Sequence, residues 1–153
     1  MASLIGKLVT KTKVKSSPNA IYDIYAHKPY ELISVAPDVF QSLDLLDGLW
    51  GVFGCVFSLT YVDGGKIRTM NVKVAAIDDA NKTVTYMIIA GDLLSLYTTL
   101  SATVQVGTDP DGMMNFVTWT LDYVKLLPTS PDPISLMNLA ITGVEGIDAK
   151  LAN

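Results

Sequence analysis

The stretch SPDPISLMNLAITGVEGIDAKLAN, residues 130–153, decides how the rest of the chain must fold. Ser130 is a good N-cap, and Pro131 suits the first helical position, where a missing N–H costs nothing. Pro133 still falls among the unsatisfied donors of the first turn, so it does not interrupt the helix. The spacing predicts a helix from Pro131 to Leu151, roughly 30 Å long at about 1.5 Å per residue. Ser135, Asn138, Thr142 and Glu145 recur at helical intervals and share one face. The remaining surface carries Ile134, Leu136, Met137, Leu139, Ala140, Ile141, Val144 and Ile147. That stripe is wider than a coiled-coil seam, so the helix must lie on a broad apolar surface.

The preceding sequence supplies such a surface. From Asp38 to Lys125 the chain alternates as antiparallel strand and is punctuated by Asp47-Gly48, Asp63-Gly64-Gly65, Asp78-Asp79-Ala80-Asn81, Gly91-Asp92 and Asp109-Pro110-Asp111-Gly112. These are the residues that tight hairpin turns require, and they delimit a meander of six strands. Residues 4–15 form one further strand, with Lys7, Lys11, Lys13 and Lys15 on its watered face. Ser16-Ser17-Pro18 starts a short helix over Asn19–Ala26, and Pro29 opens a second that runs to about Val35 before Pro37 ends it. The fold class is α+β: a single domain, residues 1–153, with helices on one side of a seven-stranded antiparallel sheet.

Composition excludes several function classes. Half of the 153 residues are hydrophobic and only 17% are charged, and the mean hydropathy is +0.37. No run reaches the roughly 18 apolar residues of a membrane span, and the lysines after Leu4 argue against a secretory signal. A net charge of −4 with no basic stripe argues against nucleic acid. Cys55 stands alone, which excludes a disulfide framework and a multi-cysteine metal site and suits a reducing cytoplasm. A monomer or weak dimer is expected.

Strand alternation directs Phe53, Cys55, Phe57, Leu59, Tyr61, Met70, Val72, Val74, Tyr86, Ile88, Leu100, Ala102, Trp119, Leu121 and Tyr123 inward. Periodicity leaves two arrangements open. The side chains interlock as ordinary core, or they line an apolar pocket of roughly 300–1,000 Å³.

The segments GDLLSLY at 91–97, FVTWTLDYVKL at 116–126 and PDPISLMNLA at 131–140, with ASLIGKLV at the start and DLLDGLWGVFG at 44–54, carry a resemblance. In this order they resemble the plant major latex protein-like family of the Bet v 1, or pathogenesis-related class 10, superfamily. The resemblance runs nearly end to end. It implies the helix-grip fold, a curved seven-stranded sheet around the long C-terminal helix with two short helices after the first strand, and an internal cavity for small plant metabolites. The sequence departs from that family where members usually carry charge, at Leu49, Met87, Ala90, Ser95, Gly143 and Gly146. Two glycines in the long helix, each less favourable than Ala by about 1 kcal/mol, leave two readings: a more mobile lid over a very apolar ligand, or else drift or a self-association surface.

The inward set holds almost nothing that titrates. His27 is the only histidine, which excludes Ser-His-Asp and Cys-His arrangements and His-ligated zinc. Asp23, Glu31, Asp92, Asp122, Glu145 and Asp148 fall at turns, helix ends or polar faces, where solvated roles are expected. The glycine-spaced segment at 48–54 lacks the Lys-Ser/Thr of a phosphate loop and precedes a strand. No lysine lies in the inward register, so the mechanism of the superfamily's alkaloid-condensing enzymes does not carry over.

The sequence therefore points to binding of a small hydrophobic metabolite without cofactor or metal. Phe40, Phe53, Phe57, Leu59, Met70, Val72, Tyr86, Ile88, Leu100, Trp119, Met137 and Ile141 are the expected ligand contacts. Tyr61, Tyr86 and Tyr123 are the candidate catalytic residues, each able to donate one hydrogen bond to a carbonyl or enolate oxygen. One reading is a cyclase or isomerase that templates a reactive terpenoid, as in the nepetalactol-type iridoid branch of the family. The alternatives are a non-catalytic carrier or storage protein, or an alkaloid isomerase.

Overall fold

The computed structural model describes residues 4–152; residues 1–3, the first part of the ASLIGKLV segment, and Asn153 lie outside the described residues. The elements are β1 (Ile5–Val14), α1 (Pro18–His27), a 3₁₀ turn (Pro29–Glu31), α2 (Leu32–Val35), β2 (Phe40–Asp47), β3 (Val56–Asp63), β4 (Lys66–Asp78), β5 (Thr83–Gly91), a 3₁₀ turn (Asp92–Ser95), β6 (Tyr97–Thr108), β7 (Asn115–Lys125) and α3 (Ile134–Ala152). The seven strands form one antiparallel sheet in the order β1-β7-β6-β5-β4-β3-β2. The two short helices carry the chain from one sheet edge to the other. This is why β1 pairs with β7, at the far end of the sequence, and β2 becomes the opposite edge.

Two features curve the sheet. Register shifts interrupt the β4–β5 ladder between Asn71 and Val72 and between Val74 and Ala76, and such irregularities bend a strand. The β5–β6 register, moreover, runs only as far as Met87 opposite Ser101, after which the two strands part around the 3₁₀ turn. The concave face carries a continuous apolar core that includes Phe57, Leu59, Met70, Val72, Val104 and Leu121.

The long helix begins at Ile134, not at Pro131. A residue before proline is disfavoured in the α region, so Asp132 cannot continue a helix into Pro133. The segment is pinned to the sheet instead. The Tyr97 hydroxyl donates to the Pro131 carbonyl at 2.5 Å, and the Tyr123 hydroxyl donates to Asp132 Oδ1 at 2.7 Å, with Lys125 Nζ 3.2 Å from the same oxygen. Ser130, expected as the cap, is buried, and its Oγ accepts from the Leu127 N–H. Leu136, Met137, Leu139, Val144 and Ile147 are buried as the helical spacing requires, whereas Ile134 is exposed.

The glycines of α3 have a packing role that propensity does not reveal. A Cβ on Gly146 would lie 2.9 Å from the Val35 carbonyl oxygen, and one on Gly143 would lie 3.3 Å from Leu32 Cδ2. Both residues let α3 approach α2 closely, a packing role that neither the lid nor the drift reading anticipates. At the C-terminal end of α3, Asp148 is a clamp and not a solvated carboxylate. Its Oδ1 accepts from the Lys15 N–H at 3.0 Å, the Ser16 N–H at 2.9 Å and the Ser16 hydroxyl at 2.7 Å. Burial by itself would push this carboxyl up. The hydrogen bonds from Ser16 and from the Lys15 and Ser16 backbone outweigh it and hold the carboxyl below its usual range.

Two outcomes follow from this packing. Gly146→Ala gains about 1 kcal/mol of helix propensity but meets a backbone oxygen, at an overpacking cost of about 1–3 kcal/mol. The net change is a lower thermal midpoint, whereas Gly143→Ala, facing a flexible leucine tip, is close to neutral; differential scanning calorimetry of the pair checks this. Asp148→Asn lowers stability at neutral pH by about 1–2 kcal/mol. Because the folded carboxyl titrates below the unfolded one, this stabilisation is complete above the ordinary carboxylate pKa of about 4. It disappears as the pH falls through the folded value, so urea midpoints of wild type and variant must converge in acid.

Candidate functional site

Between the concave sheet and the middle of α3 lies an internal cavity of about 90 Å³. The sheet contributes Phe40 and Leu43 from β2, Phe57 and Leu59 from β3, Met70 and Val72 from β4, Tyr86 and Ile88 from β5, Ala102 from β6, and Trp119 and Leu121 from β7. Tyr25 of α1, Pro29, Leu32 of α2, and Leu136, Leu139, Ala140 and Gly143 of α3 close it. The volume is well below the expected few hundred Å³. No charged side chain lines the wall.

Of the twelve expected contacts, Phe40, Phe57, Leu59, Met70, Val72, Tyr86, Ile88 and Trp119 come together on this lining. Phe53 does not. It is 66% exposed, in the glycine-rich loop before β3, where the extended alternation that suggested an inward position has not yet begun. That loop takes φ of 80°, 82° and 88° at Gly48, Gly51 and Gly54, and a Cβ on Gly51 would press on His27 at 3.3 Å. Met137 is buried, but its sulfur accepts from the Thr10 hydroxyl at 3.3 Å, away from the lining. Ile141 is only partly buried and packs beside the core. Leu100 is buried and borders a second hollow, where β5 and β6 part, whose lining also includes the exposed Met87 and Ile89 and the side chains of Leu94 and Tyr123. Ile88 borders both spaces.

The three candidate hydroxyls have separate fates. Tyr123 donates to Asp132 and sits at the second hollow; burial first, and Asp132 next to it, push its phenol up to about 12. Tyr61 is buried with no partner for its hydroxyl and lies outside the cavity lining; burial, reinforced by Asp63, pushes it up to about 12. Tyr86 lines the cavity, but its hydroxyl donates to the Tyr25 carbonyl oxygen at 2.5 Å. The local sequence explains that bond. In a helix the Tyr25 carbonyl would accept from the N–H four residues on, and that residue is Pro29, which has none. Tyr86 supplies the missing donor from the sheet.

The same tyrosine anchors an aromatic wall. Its ring stacks on Trp119 with centroids 6.0 Å apart and meets Phe57 edge-on at 6.3 Å. Trp119 in turn meets Tyr25 edge-on at 5.4 Å. Tyr25 was not legible as a site residue, since the α1 sequence has no signal that distinguishes a lining tyrosine from Tyr22, whose hydroxyl donates to Asp79 at 2.6 Å. Burial pushes the phenols of Tyr25 and Tyr86 up, so both remain protonated donors. The titratable groups away from the cavity include His27, whose Nδ1 is 2.7 Å from Asp23 Oδ1 near the surface. Among the described residues no group of three or more His, Cys, Asp or Glu side chains could hold a metal ion.

A curved antiparallel sheet thus grips one long helix around a hollow with no charged side chain on its lining. The pathogenesis-related protein Bet v 1 family matches residues 3–153, and the chain belongs to that family. Its relatives include major latex protein 146 of Papaver somniferum, 31% identical over 137 residues that cover 90% of this chain and 85% of that protein. MLP-like protein 28 of Arabidopsis thaliana is 29% identical over 98% of this chain, but the chain spans only 45% of its length. The crystal structure of ginseng major latex-like protein 151 from Panax ginseng superposes with a TM-score of 0.94 at 29% identity, covering 98% of this chain and 99% of that one. Norcoclaurine synthase from Thalictrum flavum, 17% identical with a TM-score of 0.81 over 98% of this chain and 88% of that one, shares the fold. No helix among the described residues is long and apolar enough to cross a membrane.

Tyr86→Phe leaves the ring stack in place and orphans a buried carbonyl, at a cost of about 1–3 kcal/mol. Its urea unfolding midpoint falls accordingly, and the deficit stays constant between about pH 6 and 8, where a phenol does not titrate.

Proposed function

We propose that the protein holds a small apolar plant metabolite between its sheet and α3, and that it serves specialised metabolism as a cofactor-free cyclase or isomerase. The supporting observation is the apolar lining of eighteen residues with no ionisable group other than buried tyrosines. Such a site has no base or acid of working pKa, so its contribution to chemistry is shape. Holding a flexible, already reactive molecule near its cyclising conformation lowers the barrier by orientation, by up to about 7–11 kcal/mol in ideal cases. A dry wall also keeps a labile enol from water. An oxidised monoterpene closing to a nepetalactol-type iridoid fits this description. An alkaloid isomerase fits less well, since a cationic amine would meet neither a carboxylate nor a charge partner on the wall.

A ligand of ten carbons needs more room than about 90 Å³, so Leu32, Leu136 and Leu139 must turn aside as it enters. The carrier or storage reading draws on the same cavity and is favoured by one observation: of the three candidate tyrosines, only Tyr86 lines it, and its hydroxyl is already bonded to Tyr25. A cytoplasmic setting belongs to the same proposal and rests on Cys55, a buried free thiol.

The two readings separate in one experiment. The reactive enol is generated in the presence of the protein, products are resolved by chiral gas chromatography, and tryptophan fluorescence is followed in parallel. The cyclase reading expects enrichment of one stereoisomer. An unchanged product ratio accompanied by saturable quenching leaves the carrier alone, and absence of both responses removes the terpenoid ligand.

A further inference from the structure

We propose that Tyr25 and Trp119 form a two-point donor site for a carbonyl oxygen, so that the molecule held in the cavity is a neutral aldehyde, ketone or ester and not a bare hydrocarbon. The inference rests on the reading that the cavity holds a small apolar ligand, and it names the chemistry of that ligand.

Both side chains line the cavity, Tyr25 at 3% and Trp119 at 7% exposure. Neither the Tyr25 hydroxyl nor the Trp119 indole nitrogen makes a hydrogen bond of good geometry in the protein, although the indole N–H lies close enough to the Tyr25 oxygen to favour its ionised form against the larger effect of burial. An indole N–H only donates, and burying a donor without an acceptor costs free energy that an apolar residue of similar shape would not. A wall that is otherwise apolar apart from Tyr86, whose hydroxyl is already bonded, keeps two such groups side by side. They are also held still. Tyr86 stacks on the Trp119 ring and bonds the Tyr25 carbonyl, so both donors are positioned by one residue. If the indole N–H turns onto the Tyr25 oxygen, the phenol proton is still free to donate inward.

The acceptor is defined by what surrounds these donors. A carboxylate would be buried with no cation on the lining, and an ammonium with no anion; either is strongly disfavoured. A carbonyl oxygen is neutral, offers two lone pairs and carries no proton that would itself need an acceptor. It matches adjacent donors that lack a well-placed acceptor. Burial pushes the Tyr25 phenol up, which keeps its proton in place.

The test uses cyclohexanone and methylenecyclohexane, which have the same shape and differ in the acceptor. Six-carbon rings suit a cavity of about 90 Å³. Affinities of both probes are measured by calorimetry for wild type, Tyr25→Phe and Trp119→Phe, and the tryptophan indole N–H resonances are followed in ¹⁵N-labelled protein, assigned with Trp50→Phe. The ketone-to-hydrocarbon affinity ratio of wild type is expected to exceed that of Tyr25→Phe by about three- to tenfold, the range of one neutral hydrogen bond. The Trp119 indole proton is expected to move downfield with the ketone and not with the hydrocarbon. Tyr25→Phe removes only an oxygen, so it carries the test even if Trp119→Phe fails to fold. Binding of both probes with the same ratio in wild type and Tyr25→Phe, and an unmoved indole proton, overturns the donor site and leaves the cavity reading intact. Binding of neither probe to wild type overturns both.

Discussion

The structure depends on the way α3 is held: by polar bonds at its two ends and by incomplete packing at its middle. At the N-terminal end, Pro131 and Asp132 are fixed by hydroxyls from Tyr97 and Tyr123. At the C-terminal end, Asp148 gathers the Lys15 and Ser16 amides. Hydrophobic burial alone would draw the helix down until its leucines filled the concave sheet, since apolar surface gains about 25 cal/mol for every Å² removed from water. Anchors that are directional and short do not allow that descent. Leu136, Leu139, Ala140 and Gly143 therefore face a cavity where a floating helix would have made a core.

The opposite wall follows from a proline. Pro29 ends α1 and leaves the Tyr25 carbonyl without its helical donor, and Tyr86 reaches from β5 to supply one. That bond ties the helical layer to the sheet through the middle of the cavity wall. It also aligns the Tyr86 ring against Trp119 and Trp119 against Tyr25. A residue that looked catalytic by its position in the strand is thus a brace, and the hydroxyl left unpartnered belongs to the residue it braces.

Period-two alternation made the strands and their inward faces readable, because a strand has only two faces and the turn residues mark its ends. Eight expected contacts lie on the lining for this reason, and Phe53 misses it because it stands outside a strand, where alternation has no meaning. What alternation cannot give is depth. Met137 and Leu100 are as buried as Met70 and Ile88 and still lie off the cavity lining. The glycines of α3 were misread because propensity is a local quantity, whereas the close approach of Val35 to Gly146 depends on α2, more than a hundred residues earlier. Tyr25 was invisible for a similar reason: its neighbour Trp119 is distant in sequence, and two unpaired donors signify something only once they are adjacent. Periodicity alone left a choice between a filled and a hollow interior, and the resemblance to the major latex proteins pointed to the hollow one.

A wall with donors and no base restricts chemistry more than it restricts binding. Phenols held protonated by burial can stabilise charge developing on a carbonyl oxygen, but they do not remove a proton at neutral pH. On the proposed reading, the molecule entering the cavity must already carry its reactive enol or enolate, formed elsewhere, and the protein governs only which bond closes and on which face. The small volume works in the same direction. A ligand larger than about 90 Å³ has to displace lining side chains, so on this reading folded, compact conformers of the ligand fit where extended ones do not. Selection among conformers by a space that resists being enlarged is itself a form of templating, and it requires no ionisable group.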